Sequence, residues 1–298
     1  MEQQQEYKQE RFQMPSHVRM MLTQQDGYSE KPRIKFVNPN TDNYERNILN
    51  AAQQGHSEVR ANSHKGENII ICGSGPSLKD PVVLRKIRQY VDKGFKLLGC
   101  KAAIGYLHEQ GLNVDFGCSM DPGAHIACPE KIFKAPGTKH LIASSSDPAL
   151  FEYLKGEDIM IFHSATGLKN ELELYRKHFK TPWCASGGYN VVNRAVSVAM
   201  FMGFDTIVMA GTDCGYREDQ KFYVSGDNDK KGVDMNDHGA VDGVPWLTRP
   251  DMLASAIALA KLAKKLKKGR IVFLGDTMPA KLQYKSDEFL SACGDFGG

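Results

Sequence analysis

The chain has 298 residues, 41% hydrophobic and 24% charged, which is enough apolar material for a full-sized core. A formal net charge of +3 is too small to argue for a nucleic-acid partner, and no apolar run approaches the roughly 20 residues that span a bilayer. The polar N-terminus lacks the apolar stretch of a signal peptide, and the seven cysteines show no CxxC spacing. Together these features predict a cytoplasmic protein with free thiols and neither a zinc site nor a disulfide framework.

Residues 1–65 are polar and rich in Gln and Asn, and read as an N-terminal extension that packs on the main domain or mediates assembly, a homo-oligomer included. One helix is predicted in it, Asp42 to Gln54, with Tyr44, Ile48 and Ala51 on one face. From Asn68 the pattern changes to short apolar runs alternating with amphipathic stretches. Asn68–Cys72 reads as a buried strand. Asp80 and Pro81 then suit the cap and first position of a helix that Gly94 closes. Strands are predicted at Phe95–Gly99, Val114–Ser119, His140–Ser144, Asp158–His163, Thr206–Ala210 and Arg270–Leu274. Helices are predicted at Ala102–Gln110, Pro148–Leu154, Leu168–His178, Tyr189–Met202 and Asp251–Lys268. Continuously apolar strands separated by helices predict an α/β fold of the Rossmann-like kind, a mainly parallel sheet with helices on both faces. The domain is expected over residues 66–285, with a flexible tail over 286–298. The stretch from Gly215 to Trp246 has no periodicity and reads as a mobile active-site loop.

Gly73-Ser74-Gly75-Pro76-Ser77 follows the first buried strand and opens a helix. There, backbone N–H groups suit phosphate, and glycine permits a tight turn and close approach of a ligand. An ordinary glycine turn gives the same pattern. Leu78 replaces the third glycine of the dinucleotide fingerprint. Cys100 and Lys101 stand where NAD and S-adenosylmethionine enzymes place a carboxylate, so both classes are disfavoured. Ser186-Gly187-Gly188, before the long apolar helix, is a second candidate loop, or simply close helix packing.

In parallel sheets ligands bind beyond the carboxyl ends of strands, which singles out Asp121 and Asp213 as Mg²⁺ ligands or as acceptors from a ribose or base. Asp147 reads as a helix cap. His238 lies in the polar loop, where a neutral imidazole suits a general base, and His125 is a further cleft candidate. The lysines from Lys261 to Lys268 read as a solvated helix face.

The motifs in order are Ile70-Ile71-Cys72-Gly73-Ser74-Gly75-Pro76-Ser77-Leu78, Ser119-Met120-Asp121-Pro122, Ser186-Gly187-Gly188, and Ala210-Gly211-Thr212-Asp213-Cys214-Gly215-Tyr216. The late Pro245-Trp246 and Gly275-Asp276 complete the set. In this the chain resembles the family of MptE-like 6-hydroxymethylpterin diphosphokinases and, more distantly, the motility accessory factors and small bacterial sialyltransferases. Ser74 stands where those sialyltransferases carry Asn, and a single Asp121 where the archaeal diphosphokinases have paired aspartates. The resemblance implies a nucleotide-dependent transferase with a small-molecule acceptor. As a diphosphokinase it would hold ATP at Gly73–Ser77 with Mg²⁺ on Asp121, and Asp121 would then be catalytic. As a sugar transferase it would hold a CMP- or UDP-activated sugar with Ser186, Gly187, Gly188, Asp213 and Tyr216, and His238 would deprotonate the acceptor. A binding or assembly protein without chemistry is the third reading.

Overall fold

The computed structural model describes residues 41–123, 135–166, 168–181, 183–217, 237–241, 244–248, 250–286 and 290. In chain order these form α1 (Thr41–Gln54), β1 (Ser57–Glu58), β2 (Asn68–Cys72), a 3-10 turn (Pro76–Lys79), α2 (Pro81–Asp92), β3 (Lys96–Cys100), α3 (Ala102–Glu109) and β4 (Phe116–Ser119). Next come β5 (Lys139–Ala143), α4 (Pro148–Tyr153), β6 (Asp158–Ser164), α5 (Glu171–His178), β7 (Cys184–Ala185), α6 (Val191–Met202) and β8 (Thr206–Ala210). The chain continues with β9 (Asp237–Val241), β10 (Val244–Thr248), α7 (Pro250–Lys265), β11 (Ile271–Phe273) and α8 (Met278–Leu282).

The main sheet runs β1-β6-β5-β4-β3-β2-β8-β11, with β7 on β6, and every pairing in it is parallel. Strand β2 shows why its apolar run is continuous. Ile70 packs into a layer with Val83 and Ile87 of α2 and Ile104 of α3, while Ile69 and Ile71 face Val196 and Ala199 of α6 and Leu259 of α7. A strand buried on both faces has no polar side to present. The helix ends follow the chemistry read in the sequence: Asp80 accepts from Val82 N, Asp147 accepts from Ala149 N, and Gly203 closes α6 in the left-handed conformation.

Within the N-terminal region, α1 has Ile48 and Ala51 fully buried, as the periodicity predicts. Asn47, also fully buried, sends its amide N–H groups to Pro122 O (2.8 Å) and Ser145 O (3.0 Å), carbonyls just past β4 and β5. The helix therefore lies across the carboxyl edge of the sheet, and β1 adds a strand to β6. Residues 41–58, within the expected extension, thus pack on and pair with the main sheet. Asn47→Ala strands two carbonyls and is expected to cost about 2–3 kcal/mol, read by urea unfolding.

Strands β9 (Asp237–Val241) and β10 (Val244–Thr248) pair antiparallel where a loop is expected from composition. Residues 218–236 of that expected loop, His125, and the C-terminal tail except Ser286 and Leu290 lie outside the described residues. Among the described residues the five cysteines are free, and no helix is long and apolar enough to cross a membrane.

Candidate active site

Strand β2 is flanked by its sequence neighbour β3 on one side and by β8 on the other, so the order of strands reverses there. Crevices at such switch points are where open α/β sheets bind ligands. Two loops leave the sheet at this point, Gly73–Ser77 and Gly211–Tyr216, and they interlock. Gly73 N donates to Ala210 O and Gly75 N to Gly211 O, both at 2.9 Å. Ser77 donates to Asp213 Oδ2 through its N–H at 3.2 Å and its Oγ at 2.9 Å. A methyl group on Gly73 would collide with Gly211 O, and one on Gly75 with the Asp213 carboxylate. The glycines are thus demanded by the neighbouring loop, a reason that the strand–glycine–helix pattern alone does not disclose. Pro76 has no N–H. In the loop, Ser74 carries the one backbone donor without a partner among the described residues.

Asp213 is 3% exposed. Burial lifts its carboxyl to about 7 and Asp276 adds to the rise, against the Ser77 hydrogen bonds that favour the charged form. A carboxyl poised near neutrality at a switch point is suited to giving or taking a proton.

Two non-glycine residues at this edge have left-handed backbone, Lys101 (φ 51°) just past β3 and Cys214 (φ 55°) just past β8. Such conformations cost about 1–3 kcal/mol each and persist where surrounding structure enforces them. For Cys214 the enforcement is visible, since Thr248 Oγ1 donates to its carbonyl at 2.7 Å. Lys101 Nζ lies 2.5 Å from Asp121 Oδ2, an ion pair at contact distance whose angle falls outside hydrogen-bond geometry. Mg²⁺ takes near-octahedral oxygen ligands and commonly one or two carboxylates. Here the expected carboxylate already faces an ammonium, and among the described residues no three His, Cys, Asp or Glu side chains gather.

The other expected residues divide. Ser186 and Gly187 border a hollow of about 380 Å³ between α6 and α7, lined also by Asn193, Ser197 and Lys261. The first turn of α6 nevertheless reaches the crevice. Val192 touches the space above Gly73, and Asn190 Nδ2 is 3.9 Å from Cys214 Sγ. Gly188 is buried with φ 113°, its missing side chain leaving room for Asn193. Tyr216 exchanges both backbone hydrogen bonds with Leu247, tying the β9–β10 pair to the end of β8. His238 lies in β9 opposite that same Leu247, one strand beyond β10.

Arg194 was not singled out by sequence, although an arginine within Val191-Val192-Asn193-Arg194-Ala195-Val196 breaks an apolar run. It is 7% exposed, and its Nη2 donates to Ala165 O beyond β6 at 3.1 Å. Its Nε and Nη1 have no hydrogen-bond partner among the described residues. Asn47 was likewise missed as an edge residue.

Over residues 42–219, more than half of the chain, the sequence matches the family described as 6-hydroxymethylpterin diphosphokinase MptE-like. The chain belongs to the MptE-like family. The matched region of this MptE-like chain takes in both interlocked loops and β1 to β8. Among solved structures, the MAf glycosyltransferase from Magnetospirillum magneticum AMB-1 aligns with a TM-score of 0.56 at 17% identity, over 84% of this chain and 42% of that one. The MptE-like chain therefore spans about two fifths of that protein's length, and the likeness is one of fold. A mammalian sialyltransferase in complex with Gal-beta-1-3GalNAc-ortho-nitrophenol aligns with a TM-score of 0.41 at 12% identity, over 87% of this chain and 96% of that one. No curated protein matches the sequence.

Proposed function

We propose that this MptE-like chain is a nucleotide-dependent transferase whose donor lies across the carboxyl ends of β2 and β8. The observation that carries the reading is the contact of the Gly73–Ser77 loop with Asp213 at the switch point. The family description supports diphosphate transfer as the named activity. In that reaction an acceptor hydroxyl oxygen bonds to the β-phosphorus of ATP, the bond to the α-phosphate oxygen breaks, and AMP leaves. The hydroxyl proton passes to the Asp213 carboxylate, which near neutral pH is able to take it.

Sugar transfer is the second reading. The Lys101–Asp121 pair favours it, because a nucleotide-sugar donor with one or two phosphates needs less charge neutralised than ATP. The anomeric carbon–oxygen bond to the phosphate breaks, the acceptor oxygen bonds to that carbon, and the nucleotide leaves. His238 or Asp213 takes the proton.

A thermal-shift panel of ATP, CMP, UDP and nucleotide sugars, each with and without Mg²⁺, separates the readings. A ligand at 100 times its dissociation constant stabilises by about 2.7 kcal/mol. A shift confined to ATP is expected for diphosphate transfer, and one confined to CMP, UDP or their sugars for the second reading. A flat panel removes the nucleotide from the crevice and returns the chain to the binding-protein reading.

A further inference from the structure

We infer that the hollow between α6 and α7 is a second ligand site, one that takes an organic anion with an apolar body and a hydrogen-bond donor remote from its charge. It stands apart from the nucleotide reading. Val192 of α6 faces the crevice, whereas Asn193, Ser197 and Met200, at i, i+4 and i+7, line the hollow.

Two stretches that the crevice leaves unused meet here, Ser186-Gly187 and the lysines that begin at Lys261. The hollow measures about 380 Å³, a size that suits a small molecule. Its polar end is built. Asn193 is 2% exposed, and its Nδ2 donates to Ser255 O of α7 at 3.1 Å, which fixes the plane of the amide. Gly188 makes room for it, since a methyl group there would collide with Nδ2. The Oδ1 on the other branch of the amide is buried and has no partner among the described residues. A buried acceptor without a donor is costly, and an O–H or N–H of a ligand removes that cost.

The far end is cationic. α6 and α7 lead into the parallel strands β8 and β11, so both helices run from the carboxyl edge of the sheet to its amino edge. Asn193 and Ser255 stand near the starts of their helices. Lys261 and Lys265, toward the end of α7, lie about 9–15 Å of helix beyond Ser255. Met200, Ile257 and Leu262 line the hollow with them, and among the described residues no carboxylate does. The occupant therefore presents a donor to Asn193, an apolar body about 10 Å long, and a negative group to the exposed Lys265.

The test is a fluorescence titration of the full chain with three naphthalene probes. 6-Hydroxy-2-naphthoate carries both polar ends, 2-naphthoate lacks the donor, and 2-naphthol lacks the charge. The hydroxynaphthoate is expected to bind, and 2-naphthoate to bind about tenfold more weakly. Lys265→Glu is expected to weaken both naphthoates about three- to tenfold and to leave 2-naphthol unchanged. Because it alters an exposed side chain, it is also the guard against misfolding. Ala258→Phe puts a ring into the hollow and is expected to abolish binding of all three probes. ATP or CMP in excess is expected to displace none of them. Absence of binding to the unaltered chain up to about 1 mM, binding that survives both substitutions intact, or displacement by ATP or CMP overturns the second site. A flat nucleotide panel leaves it standing, so the two readings fail separately.

Discussion

Asp213→Asn is expected to abolish a loss of stability that the unaltered protein shows between about pH 4 and about pH 7. In the unfolded chain this carboxyl titrates at its ordinary value of 3.8, whereas burial in the folded protein lifts it to about 7. Between those values the folded state holds a proton that the unfolded state has released. Raising the pH through the window therefore costs stability, which is fully present below the unfolded value and lost once the folded carboxyl ionises. A rise of about three units corresponds to an effect on the order of 4 kcal/mol, at 1.36 kcal/mol per unit. Asn keeps the shape and the ability to accept from Ser77 but does not titrate. Urea unfolding at a series of pH values measures the difference. An identical pH profile for the two proteins would mean that Asp213 is ionised throughout and unsuited to proton transfer near neutrality.

Gly73→Ala is the second large effect. The added methyl group would meet Gly211 O, a backbone atom, and lie 3.1 Å from Val192 Cγ2. Neither neighbour yields easily. Gly211 is fixed by the hydrogen bond from Gly75 N, and Val192 by its place in the first turn of α6. Overpacking of this kind costs about 1–3 kcal/mol and sometimes more, and the upper end is expected here. Gly75→Ala provides the contrast, because its nearest obstacle is the Asp213 side chain, with Gly211 O at 2.8 Å behind it. Truncating Asp213 to Ala should recover part of the cost of Gly75→Ala and none of the cost of Gly73→Ala, read as a double-mutant cycle in denaturant. Equal recovery in both backgrounds would show that the interlocked loops separate rather than collide.

The contrast also marks where the sequence is legible. Runs such as Ile69-Ile70-Ile71 and caps such as Asp80-Pro81 announce their elements locally, and α1 is readable from the spacing of Tyr44, Ile48 and Ala51. The two-residue strands β1 and β7 are too short to carry any periodicity, so they escape. The β9–β10 pair escapes as well, since Asp237, Gly239 and Gly243 resemble loop composition and its pairing is fixed by Tyr216 and Leu247. In the site, Gly73, Gly75 and Asp213 are each visible as types. That they touch is not visible, because Ser77 and Asp213 are 136 residues apart. Lys101 reads in sequence only as the absence of a carboxylate. Its left-handed backbone and its pairing with Asp121 belong to the tertiary structure.

The position of β2 also dictates an order of assembly. β3, β4, β5 and β6 follow β2 in sequence and extend the sheet away from it one neighbour at a time, through local crossovers that close early. β8, on the other flank of β2, arrives only at Thr206. Until then β2 is an outer strand whose unpaired backbone is flanked by Ile69, Ile70 and Ile71, the kind of surface that recruits strands from other chains. During synthesis at about 5–20 residues per second, that surface stays open for about 7–27 seconds between the emergence of β2 and that of β8. The same insertion of β8 that ends this exposure brings Asp213 onto Ser77, so the crevice is completed in the step that seals the sheet.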